Sequence, residues 1–162
     1  MNIAIGCDEA AVELKESIKL YIMEKGYKVT DYSVNDDEKP ALYPDIAVKA
    51  SKSIAGGENE RGILFCGTGI GMAISANKVP GIRATVCHDT YSSERAIRSN
   101  NAQIITMGAR VIGVELAKKV VDAWLESTFD GGKSLPKVNK IIEYEKQFSK
   151  EEYIKQVKPV LI

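Results

Sequence analysis

The sequence predicts a doubly wound α/β sandwich built on a five-stranded parallel sheet. Short apolar runs alternate along the chain with longer segments of helical periodicity. The run at residues 62–66 (GILFC) is apolar on both alternating faces, as suits a strand covered by helices on each side. Right-handed crossovers between such strands wind the chain about a sheet whose ligands bind beyond the carboxyl ends of the strands.

The elements follow in order. Residues 2–6 (NIAIG) form the first strand. Val12, Leu14, Ile18, Tyr21 and Ile22 recur at helical spacing over residues 11–25, and Gly26 stops that helix. Residues 27–31 (YKVTD) read as the second strand, and the polar stretch 33–43 as a loop. Pro44 opens a helix that continues through Ile46, Val48 and Ile54 to the Gly56-Gly57 pair. The third strand, 62–66, runs directly into a glycine loop, with a helix over 72–78. Strands at 82–87 and 103–107 flank a helix at 90–99, and an amphipathic helix over 114–126 carries Trp124. The domain spans residues 1–140, and residues 141–162 form a charged helical tail suited to packing on a partner subunit.

Composition bounds the function. A chain of 162 residues suits one well-filled core. Lys plus Arg and Asp plus Glu each number 22, so no global charge draws in nucleic acid or an anionic membrane. No apolar run approaches the roughly 20 residues of a membrane span. Residues 1–8 read as a core strand and not a leader. Three separated cysteines, Cys7, Cys66 and Cys87, fit a reduced cytoplasmic setting. One histidine, His88, and no CxxC pair argue against zinc, and no cofactor is expected.

The segment at residues 65–72, FCGTGIGM, carries the chemistry. Gly67, Gly69 and Gly71 permit a tight turn whose backbone N–H groups converge on an anion. The spacing is not that of a dinucleotide fingerprint. Cys66 sits where a strand meets this electropositive turn, a setting that favours the thiolate. Such a thiolate can take a proton α to a carbonyl while the N–H groups hold the enediolate. Spacing alone favours a buried structural cysteine, the usual role of a free thiol.

The motifs IAIGCDEA, Tyr43-Pro44, RGILFCGTGIGMAISANKVPGIRA, MGARVIG and FDGGK resemble the ribose-5-phosphate isomerase B family, which includes the galactose-6-phosphate isomerase subunits. The resemblance implies a dimer or tetramer with active sites at subunit interfaces. It implies metal-free aldose–ketose isomerisation of a sugar phosphate through a cis-enediolate. Cys66 matches the proton acceptor, and Met72 stands where some relatives carry a glutamate base. Gly67, Thr68, Gly69, Ile70 and Gly71 match the loop around the enediolate oxygens, with Thr68 able to hydrogen-bond. Asp8, Tyr43, Asn100 and Arg110 match further substrate-binding positions.

Four positions depart from the family pattern. Glu9 stands in place of a phosphate-contacting histidine, and Ser99 in place of the histidine that opens the sugar ring. Lys133 and Lys137 stand where two phosphate-binding arginines are expected. Lysine keeps the charge and loses the bidentate fork. Ser99 cannot shuttle protons near neutral pH; His88 is the other candidate for ring opening, against a structural hydrogen-bonding role. These changes point away from an ordinary pentose substrate, toward a short open-chain sugar phosphate or a hexose phosphate, with ribose 5-phosphate still a candidate. The alternative is a sugar-phosphate-binding subunit, non-catalytic or dependent on a homologous partner chain.

Overall fold

The structure, a computed structural model, describes residues 1–33 and 42–157. Strands β1 (Asn2–Cys7), β2 (Lys28–Asp31), β3 (Arg61–Cys66), β4 (Ala84–Val86) and β5 (Ile104–Gly108) form one parallel sheet in the order β2-β1-β3-β5-β4. Helices α1 (Val12–Glu24), α2 (Tyr43–Ala55), α3 (Ile70–Ala76), α4 (Thr90–Asn100) and α5 (Val114–Leu125) cover it. Helices α6 (Leu135–Phe148) and α7 (Glu151–Ile154) follow, so the segment marked as a tail from residue 141 begins inside α6.

Alternation along each strand sorts the core into two layers. Ile3, Ile5, Ile63, Phe65, Ile105 and Met107 face α1, α4 and α5 with Ile18, Ile97, Val120 and Trp124. Ala4, Leu64, Cys66 and Ile104 face α2 and α3 with Ile46, Ala50, Met72 and Ala76. The expected two-sided covering is therefore present. Phe65 and Trp124 are fully buried, each worth about 1.5–3 kcal/mol of transfer free energy.

Several expected boundaries moved, most by a single residue. The strand expected over 82–87 keeps only Ala84–Val86, because Ile82 N–H bonds back to the Val79 carbonyl in a turn and Ile82 packs into the α2/α3 layer. A short edge strand offers little unpaired backbone to a stranger. Helix α3 starts at Ile70, two residues earlier than expected, because Gly69 at φ +80° completes the reversal. A 3-10 turn at Glu9–Ala11, capped by Asp8, precedes α1. The loop expected over 33–43 lies outside the described residues apart from Ser33, Leu42 and Tyr43, and Tyr43 opens α2. No helix among the described residues is long and apolar enough to cross a membrane.

Candidate active site

The site grows from the carboxyl end of β3, a central strand. Cys66 pairs in register with Gly108 on β5, while Cys7 on β1 pairs with Phe65. Beyond Cys66 the chain turns back on β5. Ala109 N–H donates to the Cys66 carbonyl at 2.9 Å and Arg110 N–H to the Gly67 carbonyl at 3.1 Å. Thr106 Oγ1 donates to the Gly69 carbonyl at 2.8 Å from a fully buried position. Each tie joins the glycine loop to β5, so the loop is held in one shape.

Close packing explains the glycines at two positions. A Cβ on Gly71 would come within 2.6 Å of the Tyr43 ring, so the ring packs directly against the loop. A Cβ on Gly108 would approach Thr68 Cα to 2.7 Å, so β5 and the loop touch backbone to backbone. The Arg110 side chain lies over Gly67, whose Cβ would stand 3.4 Å from Nε.

Cys66 Sγ accepts the Gly69 N–H at 3.0 Å, a contact that stabilises negative charge on sulfur. Ile70 N–H donates to Thr68 Oγ1 at 3.3 Å. The Gly69 N–H, turned to sulfur, is therefore not open to a bound oxyanion. Cys66 is 6% exposed, and Thr68, Ile70 and Tyr43 nearby are exposed. Asp8, at the end of β1, accepts the Ala10 N–H at 3.0 Å. Burial raises the Asp8 carboxyl above its ordinary value, the Ala10 N–H and Arg110 pull it down, and Glu9 adds to the rise.

The structure thus brings together Asp8, Tyr43, Cys66, Gly67, Thr68, Gly69, Ile70, Gly71 and Arg110. Glu9 opens the neighbouring 3-10 turn, exposed to solvent. Ser99 and Asn100 are elsewhere: α4 returns antiparallel to the strands and ends beside the start of β4, where the Asn100 carbonyl accepts Arg83 Nε at 3.1 Å. The five residues of β5 put about 13 Å of strand between that end and Cys66. Lys133 and Lys137 are exposed on the 3-10 turn at Gly132–Ser134, which packs on α4, and on α6.

His88 stands beside the end of β5. Its Nε2 accepts the Gly108 N–H at 2.9 Å. Thr106 is absent from the expected site residues, although it anchors the loop; one polar side chain in the otherwise apolar β5 was the available signal.

A family model described as Ribose/Galactose Isomerase matches residues 3–141. The chain is 56% identical over 147 residues to D-erythrulose-4-phosphate isomerase of Pectobacterium atrosepticum, a match covering 91% of this chain and 97% of that protein. It is 50% identical over 147 residues to Ribose-5-P isomerase B of Listeria innocua, covering 91% and 99% respectively. The structure of Clostridium thermocellum ribose-5-phosphate isomerase B superposes with a TM-score of 0.87 at 42% identity, over 92% of this chain and 100% of that one. The family match and these identities place the chain in the ribose/galactose isomerase family, to which it belongs.

Proposed function

We propose that this sugar-phosphate aldose–ketose isomerase interconverts D-erythrulose 4-phosphate and D-erythrose 4-phosphate, with Cys66 as the base. The observation that carries the choice of substrate is the lack of a free ring-opening group. Ser99 stands at the position expected to hold a histidine, and Nε2 of the only histidine in the chain is engaged by Gly108. A four-carbon sugar phosphorylated at O4 has no hydroxyl left to close a furanose, so it needs no ring opening. The 56% identity to an isomerase of that tetrulose phosphate supports the same reading.

The chemistry follows from the loop. The Cys66 thiolate removes a C1 proton from the ketose, and the C1–H electron pair forms the enediolate double bond. The loop amides and Thr68 hold the enediolate oxygens as charge develops on them. The Cys66 thiol then returns the proton to C2, while a hydroxyl proton passes between O2 and O1, leaving the aldose. Asp8 and Arg110 border the same pocket and take sugar hydroxyls and negative charge respectively.

The working unit is a homodimer or homotetramer whose sites are shared between copies. Asn100 and Ser99 stand at the far end of the sheet from Cys66 of their own chain, so a second copy must supply them. Lys133, on the 3-10 turn beside α4, and Lys137, on the following α6, would then deliver the phosphate-binding charge from that same copy.

The test is a panel of tetrose, pentose and hexose phosphates in deuterated water. Expected is deuterium uptake beside the carbonyl, with kcat/KM for the tetrulose phosphate at least about tenfold above ribulose 5-phosphate. Equal or better turnover of the pentose phosphate would remove the tetrose assignment and leave the isomerase.

A further inference from the structure

We propose that His88 is a positioning residue: its neutral imidazole holds the end of β5 under the catalytic loop, and its protonation releases that hold. The inference rests on the loop at residues 67–71 being the active site.

The geometry sets the tautomer. Gly108 N–H is a donor, so Nε2, 2.9 Å away, must carry no proton, and the neutral ring then holds its proton on Nδ1. Protonation converts the acceptor into a donor facing another donor, and the bond is lost. Gly108 is a sensitive place for that loss. It pairs in register with Cys66, touches the Thr68 backbone, and its carbonyl accepts the Val111 and Ile112 N–H groups at 2.9 and 3.1 Å. The next two residues give the N–H groups that fix the Cys66 and Gly67 carbonyls. A shift of Gly108 therefore moves both walls of the loop.

The surroundings keep the ring neutral. Burial lowers the His88 imidazole below its ordinary value, and Asp89, the charged neighbour that acts on it, opposes that fall. From the β5 side the nearest charged side chain in sequence is Arg110, which turns over Gly67. Asp89 is itself occupied in capping α4 through the Ser92 N–H at 2.7 Å. The sign is then fixed: the Gly108 bond is intact above the His88 midpoint and is lost as pH falls through it.

A single histidine makes the test direct, because its imidazole resonances need no assignment. Nitrogen-15 and proton NMR of the full chain should show an Nδ1–H tautomer, a midpoint below 6.5, and a Gly108 amide shift with the same midpoint while the fold stays intact. Kinetically, His88→Leu should lower kcat about tenfold above the midpoint, with little change in KM, and the difference should close below it. His88→Gln, whose Oε1 can accept the same N–H, should regain most of that loss. The ratio of His88→Gln to wild-type kcat/KM should rise as pH falls through the measured midpoint and level off near the tenfold loss of His88→Leu. Taking the ratio on one substrate cancels ionisation of the phosphate and of Cys66.

An Nε2–H tautomer would overturn the proposal, as would an acid limb unchanged in His88→Gln. If no sugar phosphate turns over but the tautomer and the coupled Gly108 shift appear, the hold on β5 stands and the isomerase reading fails instead.

Discussion

Cys66 ends β3 and Cys87 follows β4, two strands that flank the same partner, β5, and the cysteines differ in what faces their sulfur. Burial pushes the Cys87 thiol up to about 12, with Asp89 adding to the rise and Ser93 opposing it. Cys7, at the end of β1, is also raised by burial, although Ser33 Oγ–H donates to its sulfur at 3.7 Å. Both belong to the layer under α1, α4 and α5. Cys66 points to the opposite layer and receives a backbone N–H at 3.0 Å. All three are nearly inaccessible, at 4%, 6% and 1%, so exposure does not separate them. A glycine turn that aims a donor at sulfur does, and strand alternation decides which cysteine reaches it.

The sharpest way to break this contrast is to remove each sulfur. Cys66→Ala should lower kcat by about 10²–10⁴-fold with the fold intact, the range expected for loss of a positioned base. Cys87→Ala should leave kcat unchanged and cost about 1 kcal/mol of stability, read from urea unfolding. Mixing Cys66→Ala subunits with Asn100→Ala subunits should then restore activity, toward about a quarter of wild type in randomly reassorted dimers. A heterodimer keeps one site with both residues intact. No recovery after confirmed exchange would confine the site to one chain.

A smaller effect is expected at the clamp. Thr106→Val keeps the shape of the side chain and removes the hydroxyl that holds the Gly69 carbonyl. The Ala73 N–H still reaches that carbonyl at 3.1 Å, so stability should fall by only about 1 kcal/mol. The Gly69 N–H that faces sulfur is one end of the same residue, and its drift should cost about tenfold or more in kcat. An unchanged kcat would mean that the turn keeps its shape without β5.

The sheet, the helices and the loop were legible because periodicity and glycine spacing are local signals. GILFC shows a strand buried on both faces, and CGTGIG shows the turn that follows it. Local signals do not report which end of α4 meets which strand, so Asn100 and Ser99 could be named from their motif but not placed relative to Cys66. His88 shows the same limit. As a lone histidine it was compatible with proton transfer or with structure, and the bond from the Gly108 N–H at 2.9 Å supports the structural reading. The short β4 was missed for a packing reason: Ile82 is apolar like a strand residue and is used as a plug.

The weakest expected effect sharpens the contrast from the sealed side. Near Cys7, Asp31 accepts Lys15 Nζ at 2.7 Å, Lys19 Nζ at 3.0 Å and the Ser33 N–H at 3.0 Å. Burial alone would raise the Asp31 carboxyl; the Lys15 bond, helped by Ser33 and Lys19, outweighs it and holds the group at about 2. A depressed carboxyl contributes stability that is fully present above its unfolded value near 3.8 and is lost as pH falls toward 2. The contribution is about 2 kcal/mol, at roughly 1.4 kcal/mol per pH unit. Urea unfolding of wild type and Asp31→Asn at pH 5 and pH 2.5 should show a shallower acid loss in the variant, while kcat of the two at pH 7.5 stays equal. A parallel fall in kcat would tie the Cys7 end of the sheet to the Cys66 loop and erase the separation between them.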